Sequence, residues 1–253
     1  MSLDPRAATG FGRAAECYER GRPSYPPAAI ARVIDNLGVT RESVVLDLAA
    51  GTGKLTRLLL PHVSRVIAVE PVPEMRRELT ARLPTVTALD GTAEAIPLAD
   101  DSVDAVFVGQ AFHWFRTTEA AAEIARVLTT RGGLGLLWNE PTWTDQDTPW
   151  LAAFRATVEQ HKRAAGAYPA GNGEWERPLA ETRLFDAVQH TDDTHVQHLT
   201  VDDFVAQVAS WSWIAGLSET QRAAVLADVR ALLRAQAEIT VPYRTDVYWT
   251  RRR

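Results

Sequence analysis

Short apolar runs alternate with stretches of helical spacing through residues 39–140. The runs that predict strands are 44–48, 66–70, 86–89, 104–109 and 134–138. Their residues are apolar throughout rather than on alternate positions, which is typical of a parallel sheet covered on both faces. Strands that alternate with helices form repeated βαβ units. The pattern therefore predicts an α/β fold built on an open, doubly wound, Rossmann-like sheet with helices on both faces.

Further elements are predicted on both sides of this region. A helix is expected over 26–37, since its two leading prolines are tolerated in a first helical turn. Ser218 and Gln221 have the spacing of a capping box, which predicts the start of another helix. The runs 187–199 and 241–250 predict two more strands near the end of the chain.

The order of these elements divides the chain into four parts. Residues 1–38 are expected to form an N-terminal lid with the first helix, and 39–140 a ligand-binding core. Residues 141–185 break the rhythm with several Trp, Pro and Gly. Such an irregular aromatic insertion predicts a substrate cap, because loops carry specificity on scaffolds of this kind. Residues 186–253 are expected to complete the same domain.

Composition narrows the class of protein. The chain has 253 residues, 46% of them hydrophobic, and a net charge of −5, which argues against general nucleic-acid binding. The single cysteine excludes an intrachain disulfide and a Cys-based zinc site, and we predict no metal site. The sequence contains no run of about 18 apolar residues, so it predicts no membrane span. Without a secretory signal pattern, the expected location is cytoplasmic.

The most informative segment is a glycine-containing loop at 46–54, Leu-Asp-Leu-Ala-Ala-Gly-Thr-Gly-Lys, between a predicted strand and a helix. A phosphate-binding P-loop requires Gly five residues before Gly53, where Leu48 stands, and Ser or Thr at Leu55, so that motif is excluded. A dinucleotide fingerprint requires a third glycine where Thr56 stands. This disfavours a nicotinamide-dependent oxidoreductase.

Two acidic residues flank this loop at the ends of predicted strands. Asp47 ends the first strand, Gly51 and Gly53 form the turn, and Glu70 ends the second strand. Glycines allow a ligand to approach the backbone closely. A carboxylate at the position of Glu70 can chelate the two hydroxyls of a ribose. The segment therefore predicts a nucleoside-containing ligand at the carboxyl edge of the sheet.

A series of motifs in this order resembles the class I S-adenosylmethionine-dependent methyltransferases. The resemblance is to small-molecule, methyltransferase type 11-like enzymes, similar to quinone-biosynthesis and trans-aconitate methyltransferases. The matching segments are 46–53, 69–71, 91–98, 101–106 and 126–133, preceded by 18–26, which is typical of this branch. The resemblance implies a seven-stranded, mostly parallel sheet whose last strand is antiparallel. It also implies S-adenosyl-L-methionine as cofactor and methyl transfer to a small-molecule acceptor, by a monomer or homodimer.

The resemblance assigns the cofactor's methionine and ribose to the glycine-containing loop and its flanking acids. Asp47 is expected to hold the ammonium group, and Glu70 the ribose. The backbone of Ala49, Gly51 and Gly53 is expected against the methionine part. Ala49 stands where many relatives have glycine, and its methyl group is tolerable if the backbone avoids the left-handed region.

Five further residues are expected to bind the cofactor or to close over it. Thr92 and the backbone of Ala93 would face the adenine; Thr92 stands where many relatives have Asp and lacks its charge. Gln110 would lie beside the reactive methyl group; a purely structural role is the alternative. Tyr18 and Arg22 would form a lid, with Arg22 pairing the cofactor carboxylate; packing of the first helix is the equal alternative.

His113 is the candidate catalytic residue. It follows the fourth predicted strand, at the edge of the sheet where ligands bind. A histidine there can take a proton from an acceptor, but two flanking aromatic residues favour a structural role. A second interpretation of the whole chain also stays open, namely an S-adenosylmethionine-binding regulatory or assembly protein without catalysis.

Overall fold

The computed structural model describes residues 15–143, 149–166 and 175–253. In these residues a seven-stranded sheet has the order β3-β2-β1-β4-β5-β7-β6. Its strands are β1 Val44–Leu48, β2 Arg65–Val69, β3 Thr87–Leu89, β4 Val103–Gly109, β5 Leu128–Pro141, β6 Gln189–Leu199 and β7 Ile239–Arg251. Strands β1 to β5 are parallel, and β7 is antiparallel to both β5 and β6. The predicted Rossmann-like sheet, with its antiparallel last strand, is confirmed.

Helices cover this sheet on both faces. The described helices are α1 (15–21), α2 Pro27–Asn36, α3 Thr56–Leu59, α4 Pro73–Arg82, α5 Thr117–Val127, α6 Pro149–Ala164, α7 Glu176–Glu181, α8 Val201–Ala209, α9 Ser212–Ala215 and α10 Glu219–Leu232. The capping box at Ser218 and Gln221 is formed as predicted. Within the described parts of the chain, no helix is long and apolar enough to cross a membrane.

The uniform apolarity of the central strands follows from burial on both sides. In β1, Leu46 and Leu48 belong to a core that α5 and α7 cover, whereas Val45 belongs to the opposite core with α2 and α3. Both sets of side chains are fully buried. Asp47 shares the face of Val45 at the carboxyl end of β1, so the doubly covered sheet places an acid at its functional edge.

The second half of the chain builds a third apolar cluster. It joins α6, α8, α9 and α10 to β6 and β7, with Phe154 and Phe204 in contact at 5.3 Å between ring centroids. Trp175, directly before α7, packs instead into the core beside α5. The described part of 141–185 therefore contributes to two cores, and its role as a substrate cap stays a prediction.

Candidate functional site

A cavity of about 200 Å³ lies at the carboxyl ends of β1, β2 and β4. From β1, the strand order continues to β2 and β3 on one side and to β4 and β5 on the other. The point where the order reverses is the usual ligand crevice of open α/β folds. The predicted site residues that line it are Tyr18, Arg22, Ala49, Gly51, Glu70, Gln110 and His113. Asp47 lines a smaller adjoining cavity together with Tyr18, Arg22 and Gly51. Eight of the predicted site residues are thus brought together.

The backbone at this edge adopts the left-handed region at several positions. Gly51 and Gly53 have φ of 59° and 85°, as expected of glycines in a tight turn. Ala49 (φ 58°) and Gln110 (φ 60°) adopt it without being glycine. The condition under which the methyl group of Ala49 is tolerated without strain, a backbone outside the left-handed region, is therefore not met. Each such residue costs about 1–3 kcal/mol, and strain of this kind collects at binding sites.

Asp47 is a buried acid with one unused oxygen. Its side chain is 1% exposed, and its Oδ2 accepts a 2.5 Å hydrogen bond from the Thr56 hydroxyl. Its Oδ1 is buried and has no hydrogen-bond partner among the described residues. Burial raises the pKa of Asp47 to about 7. The site is therefore prepared for a cationic or hydrogen-bond-donating group of a ligand.

Glu70 is held by the backbone of the two loops that it joins. Its Oε2 accepts from the Gly51 amide at 2.8 Å, and its Oε1 accepts from the Val72 amide at 2.8 Å. The residue is 5% exposed, and burial raises its pKa to about 7. Each carboxylate oxygen retains a lone pair after these bonds. The carboxylate can therefore accept two hydroxyl donors from a vicinal diol.

The N-terminal helix α1 places a cation at the opposite wall. The Arg22 Nε donates to the Ser210 hydroxyl at 2.8 Å and its Nη2 to the Ser210 carbonyl at 3.3 Å. Its guanidinium carbon lies 5.4 Å from the centroid of the Tyr18 ring. Both side chains line the cavity. The structure thus brings the predicted lid residues to the ligand side of the fold.

A neighbouring acid attaches the same helix to the glycine-containing loop. Glu19 accepts from the Thr52 hydroxyl at 2.7 Å and from the Arg57 guanidinium at 2.5 Å. Lys54 lies 3.9 Å from the same carboxylate. These contacts, with burial opposing them, hold the pKa of Glu19 below its ordinary value. These contacts therefore attach helix α1 to the loop.

Sequence reasoning missed several residues that the fold adds to the site. Lys54 lines the smaller cavity beside Asp47, and burial lowers its pKa to about 8. Its place directly after Gly53 was the signal that could have identified it. Val72 and Met75 close the wall next to Glu70. No local pattern marked these two, because they reach the cavity only through the packing of α4.

Three of the predicted site residues line neither of the two cavities. A Cβ on Gly53 would meet Leu83 at 2.9 Å and Leu79 at 3.1 Å, so Gly53 permits close packing against α4. Ala93 is 4% exposed in the core beside α5. Thr92 forms an isolated bridge with the residue three positions later. The adenine contacts expected of Thr92 and Ala93 stay predictions.

His113 and Gln110 both carry side-chain hydrogen bonds within the protein. Gln110 Nε2 donates to the Asn139 carbonyl at 3.2 Å. His113 lies in a short 3₁₀ turn, Phe112–Trp114, and its Nδ1 is 3.3 Å from the Trp138 indole nitrogen. Burial, and to a lesser degree the charge of Arg22, lowers the pKa of His113. Over the described residues, no group of three or more His, Cys, Asp or Glu could hold a metal ion.

Proteins similar in sequence to this chain are named methyltransferases. Residues 46–136 match the methyltransferase domain family. An uncharacterized methyltransferase of Mycobacterium bovis is 42% identical over 88% of this chain and 85% of its own length. A methyltransferase-like protein of Schizosaccharomyces pombe is 34% identical over 84% of this chain and 81% of its own length.

Solved structures with a similar fold include methyltransferases as well. A putative type II methyltransferase from Anaeromyxobacter dehalogenans superposes with a TM-score of 0.62 at 23% identity, over 91% of this chain and 97% of that structure. These similarities do not favour a non-catalytic binding protein or an oxidoreductase. The acidic, glycine-containing edge thus lies in a fold and sequence shared with methyl-transferring enzymes, and the chain belongs to the methyltransferase family, as an enzyme with the class I fold.

Proposed function

We propose that this methyltransferase binds S-adenosyl-L-methionine at the carboxyl ends of β1, β2 and β4 and methylates a small molecule. The observation that carries the proposal is the pair of buried acids on either side of the glycine-containing loop. Asp47 has an oxygen that no described protein group satisfies, and Glu70 can accept from a diol. When bound, the cofactor supplies an electrophilic methyl carbon on a sulfonium.

The cavity offers a partner for each polar end of that cofactor. Asp47 Oδ1 would hold the ammonium group, and Glu70 would accept from the ribose hydroxyls. Arg22 and Lys54 supply positive charge for the carboxylate from two sides of the smaller cavity. The left-handed backbone at Ala49 would lie beside the methionine part. The residues present therefore match the polar groups of the cofactor.

The remaining wall would receive the acceptor. His113, Trp114 and Phe115 line the larger cavity next to Gln110, and Ser212 reaches it from α9. This wall is mainly aromatic, which suits a small organic molecule better than a polymer backbone. Holding the acceptor in line with the methyl group can lower the barrier by about 7–11 kcal/mol, so a general base is not required.

Calorimetry with S-adenosylmethionine, S-adenosylhomocysteine and NAD tests the cofactor assignment. We expect saturable one-site binding of the first two compounds, because both carry the ammonium, carboxylate and ribose that the cavity matches. NAD should not compete, because the loop lacks a third glycine. If folded protein bound neither S-adenosylmethionine nor S-adenosylhomocysteine, the proposal would be contradicted.

Glu70→Ala should weaken S-adenosylhomocysteine binding by roughly 10- to 100-fold, because a hydrogen bond to a charged group contributes about 1.5–3 kcal/mol. Isothermal calorimetry measures the change. Glu74→Ala is the matched control: Glu74 is an acid of the same region, on α4, with its side chain 44% exposed. If Glu70→Ala and Glu74→Ala bound S-adenosylhomocysteine with equal affinity, the ribose would have to be held elsewhere.

A further inference from the structure

The hydrogen bond between His113 and Trp138 fixes which imidazole nitrogen carries the proton. An indole nitrogen is a donor only, so His113 Nδ1, 3.3 Å from Trp138 Nε1, has to accept. A neutral imidazole has a single N–H group, which then lies on Nε2. Trp138 itself is held in place by stacking on Trp175, at 5.2 Å and 22°, and by an edge contact with Tyr248.

This tautomer is unsuitable for a general base that faces the cavity. To accept a proton at Nε2, the neutral ring of His113 would need its hydrogen on Nδ1, pointing at the Trp138 N–H. Two donors would then meet and the indole N–H would lose its bond, at a cost of about 1–3 kcal/mol for a buried group. Burial and Arg22 also disfavour the charged ring, since both lower the pKa of His113.

We propose that His113 is an acceptor-binding residue that donates its Nε2–H to a carboxylate oxygen of the methyl acceptor, and that Trp138 is the positioning residue that fixes this donor. His113 and Arg22 line the same cavity, and Arg22 and Lys54 also line the smaller one. Two cations therefore stand near the cofactor carboxylate, which leaves positive charge beside the His113 donor. The donor and this charge together match an anionic oxygen and oppose an amine cation. The assignment of the cavity to the acceptor rests on the proposed function.

The proposed role leaves no proton to be moved. An anionic acceptor attacks the methyl carbon with its own lone pair, and the electron pair of the carbon–sulfur bond that breaks stays on sulfur. The acceptor loses its negative charge and the sulfonium its positive charge, so the step is balanced. His113 keeps its Nε2 hydrogen throughout and orients the acceptor.

Nitrogen NMR of ¹⁵N-histidine-labelled, unliganded protein tests the tautomer above the pKa of His113. His113→Gln assigns the signal. We expect a bare Nδ1 and a protonated Nε2 in the wild type. In Trp138→Phe the other tautomer should become populated and the pKa of His113 should rise, because the donor to Nδ1 is gone. Trp143→Phe is the control: it removes an indole that belongs to another cluster and donates to the Thr240 carbonyl, so it should change neither.

A protonated Nδ1 in the wild type, or a tautomer ratio unchanged in Trp138→Phe, would overturn the positioning role. This result does not depend on cofactor binding, so it is separable from a failure of the calorimetry described above. Benzoate and benzylamine, matched in size and opposite in charge, then probe the acceptor class with S-adenosylhomocysteine present. Benzoate should shift the His113 Nε2–H resonance saturably; a shift with benzylamine alone, or with neither, would overturn the carboxylate assignment.

Kinetics on any acceptor that turns over completes the test. The glutamine amide nitrogen can replace Nε2–H, so His113→Gln should keep the pH–rate profile and most of the acceptor affinity. His113→Ala should raise the acceptor KM by roughly 10-fold, for the loss of one charge-assisted hydrogen bond. A turnover loss of about 10²–10⁴-fold in both variants, with an altered pH profile, would show a base instead.

Discussion

Asp47→Asn should weaken S-adenosylmethionine binding by roughly 100-fold or more, because removing one partner of a buried ion pair costs about 3–5 kcal/mol. The asparagine oxygen can still accept from Thr56, whose hydroxyl contacts Oδ2 at 2.5 Å in the wild type. The variant therefore retains the local fold and loses the negative charge at Oδ1. Calorimetry with the cofactor measures the affinity, and Asp90→Asn is the control, an acid whose side chain is 73% exposed after β3.

The same variant should remove a pH dependence of stability. Burial raises the pKa of Asp47 from 3.8 to about 7, so at intermediate pH the folded state holds a proton that the unfolded state has released. Stability then falls as pH rises through this interval, by about 1.4 kcal/mol for each unit of pKa difference. Glu70 contributes in the same direction. The wild type should therefore lose free energy of unfolding relative to Asp47→Asn as pH rises from about 4 to about 7.

Cofactor binding should follow the opposite trend. An ammonium group favours ionised Asp47, so the wild-type affinity should increase with pH up to the pKa near 7, and the affinity of Asp47→Asn should change less. Denaturant titrations and calorimetry across this range measure both quantities. Parallel stability curves for wild type and Asp47→Asn would show that the buried carboxyl does not titrate as the structure implies.

The central strands could be predicted because burial on both faces leaves only apolar positions. The limits of β5 could not: the apolar run covers 134–138, whereas the strand is Leu128–Pro141. Its extension beyond residue 138 is maintained by antiparallel pairing with β7 and by polar contacts such as the Thr245 hydroxyl on Asn139 Oδ1, at 2.6 Å. Contacts between residues this far apart in the chain leave no local pattern.

The acids of the site could be predicted from their place at strand ends, but their surroundings could not. Arg22 was identified from its own segment, yet Ser210, which holds it, lies 188 residues later. His113 was recognised as a site residue, while the role of its ring depends on Trp138, which lies on β5. Sequence reasoning thus located the chemical groups, and the fold determines their hydrogen-bonding state.

The second large effect is expected from a glycine at the end of α1. Gly21 lies against the backbone of α8, and a Cβ built on it would stand 2.2 Å from the Gln207 nitrogen and 2.4 Å from its Cα. Gln207 is buried, and its side-chain amide donates to the Tyr243 hydroxyl. Gln197 Nε2 donates to the Gly21 carbonyl at 3.1 Å. Neither side of this contact has room to move by the required distance.

Gly21→Ala should therefore displace α1 and with it the lid residues. Tyr18 and Arg22 would leave the cavity together, and Glu19 would lose its contacts with the glycine-containing loop. We expect S-adenosylhomocysteine affinity to fall by roughly 100-fold or more, since two or more interactions of about 1.5–3 kcal/mol are lost at once. The central strands should stay folded, because Gly21 contacts α8 and not the core of the sheet.

Calorimetry and thermal unfolding distinguish this local displacement from global unfolding. Glu16→Ala, on the exposed side of the same helix, should bind like the wild type. Glu19→Gln adds no volume and removes the charge that pairs with Arg57 and Lys54, so it should weaken binding in the same direction by a smaller factor. If Gly21→Ala and Glu19→Gln both kept wild-type affinity, helix α1 would be a packing element only. If both variants lost affinity and kept an intact unfolding transition, ligand binding would depend on two attachments of α1, Gly21 against α8 and Glu19 to the loop.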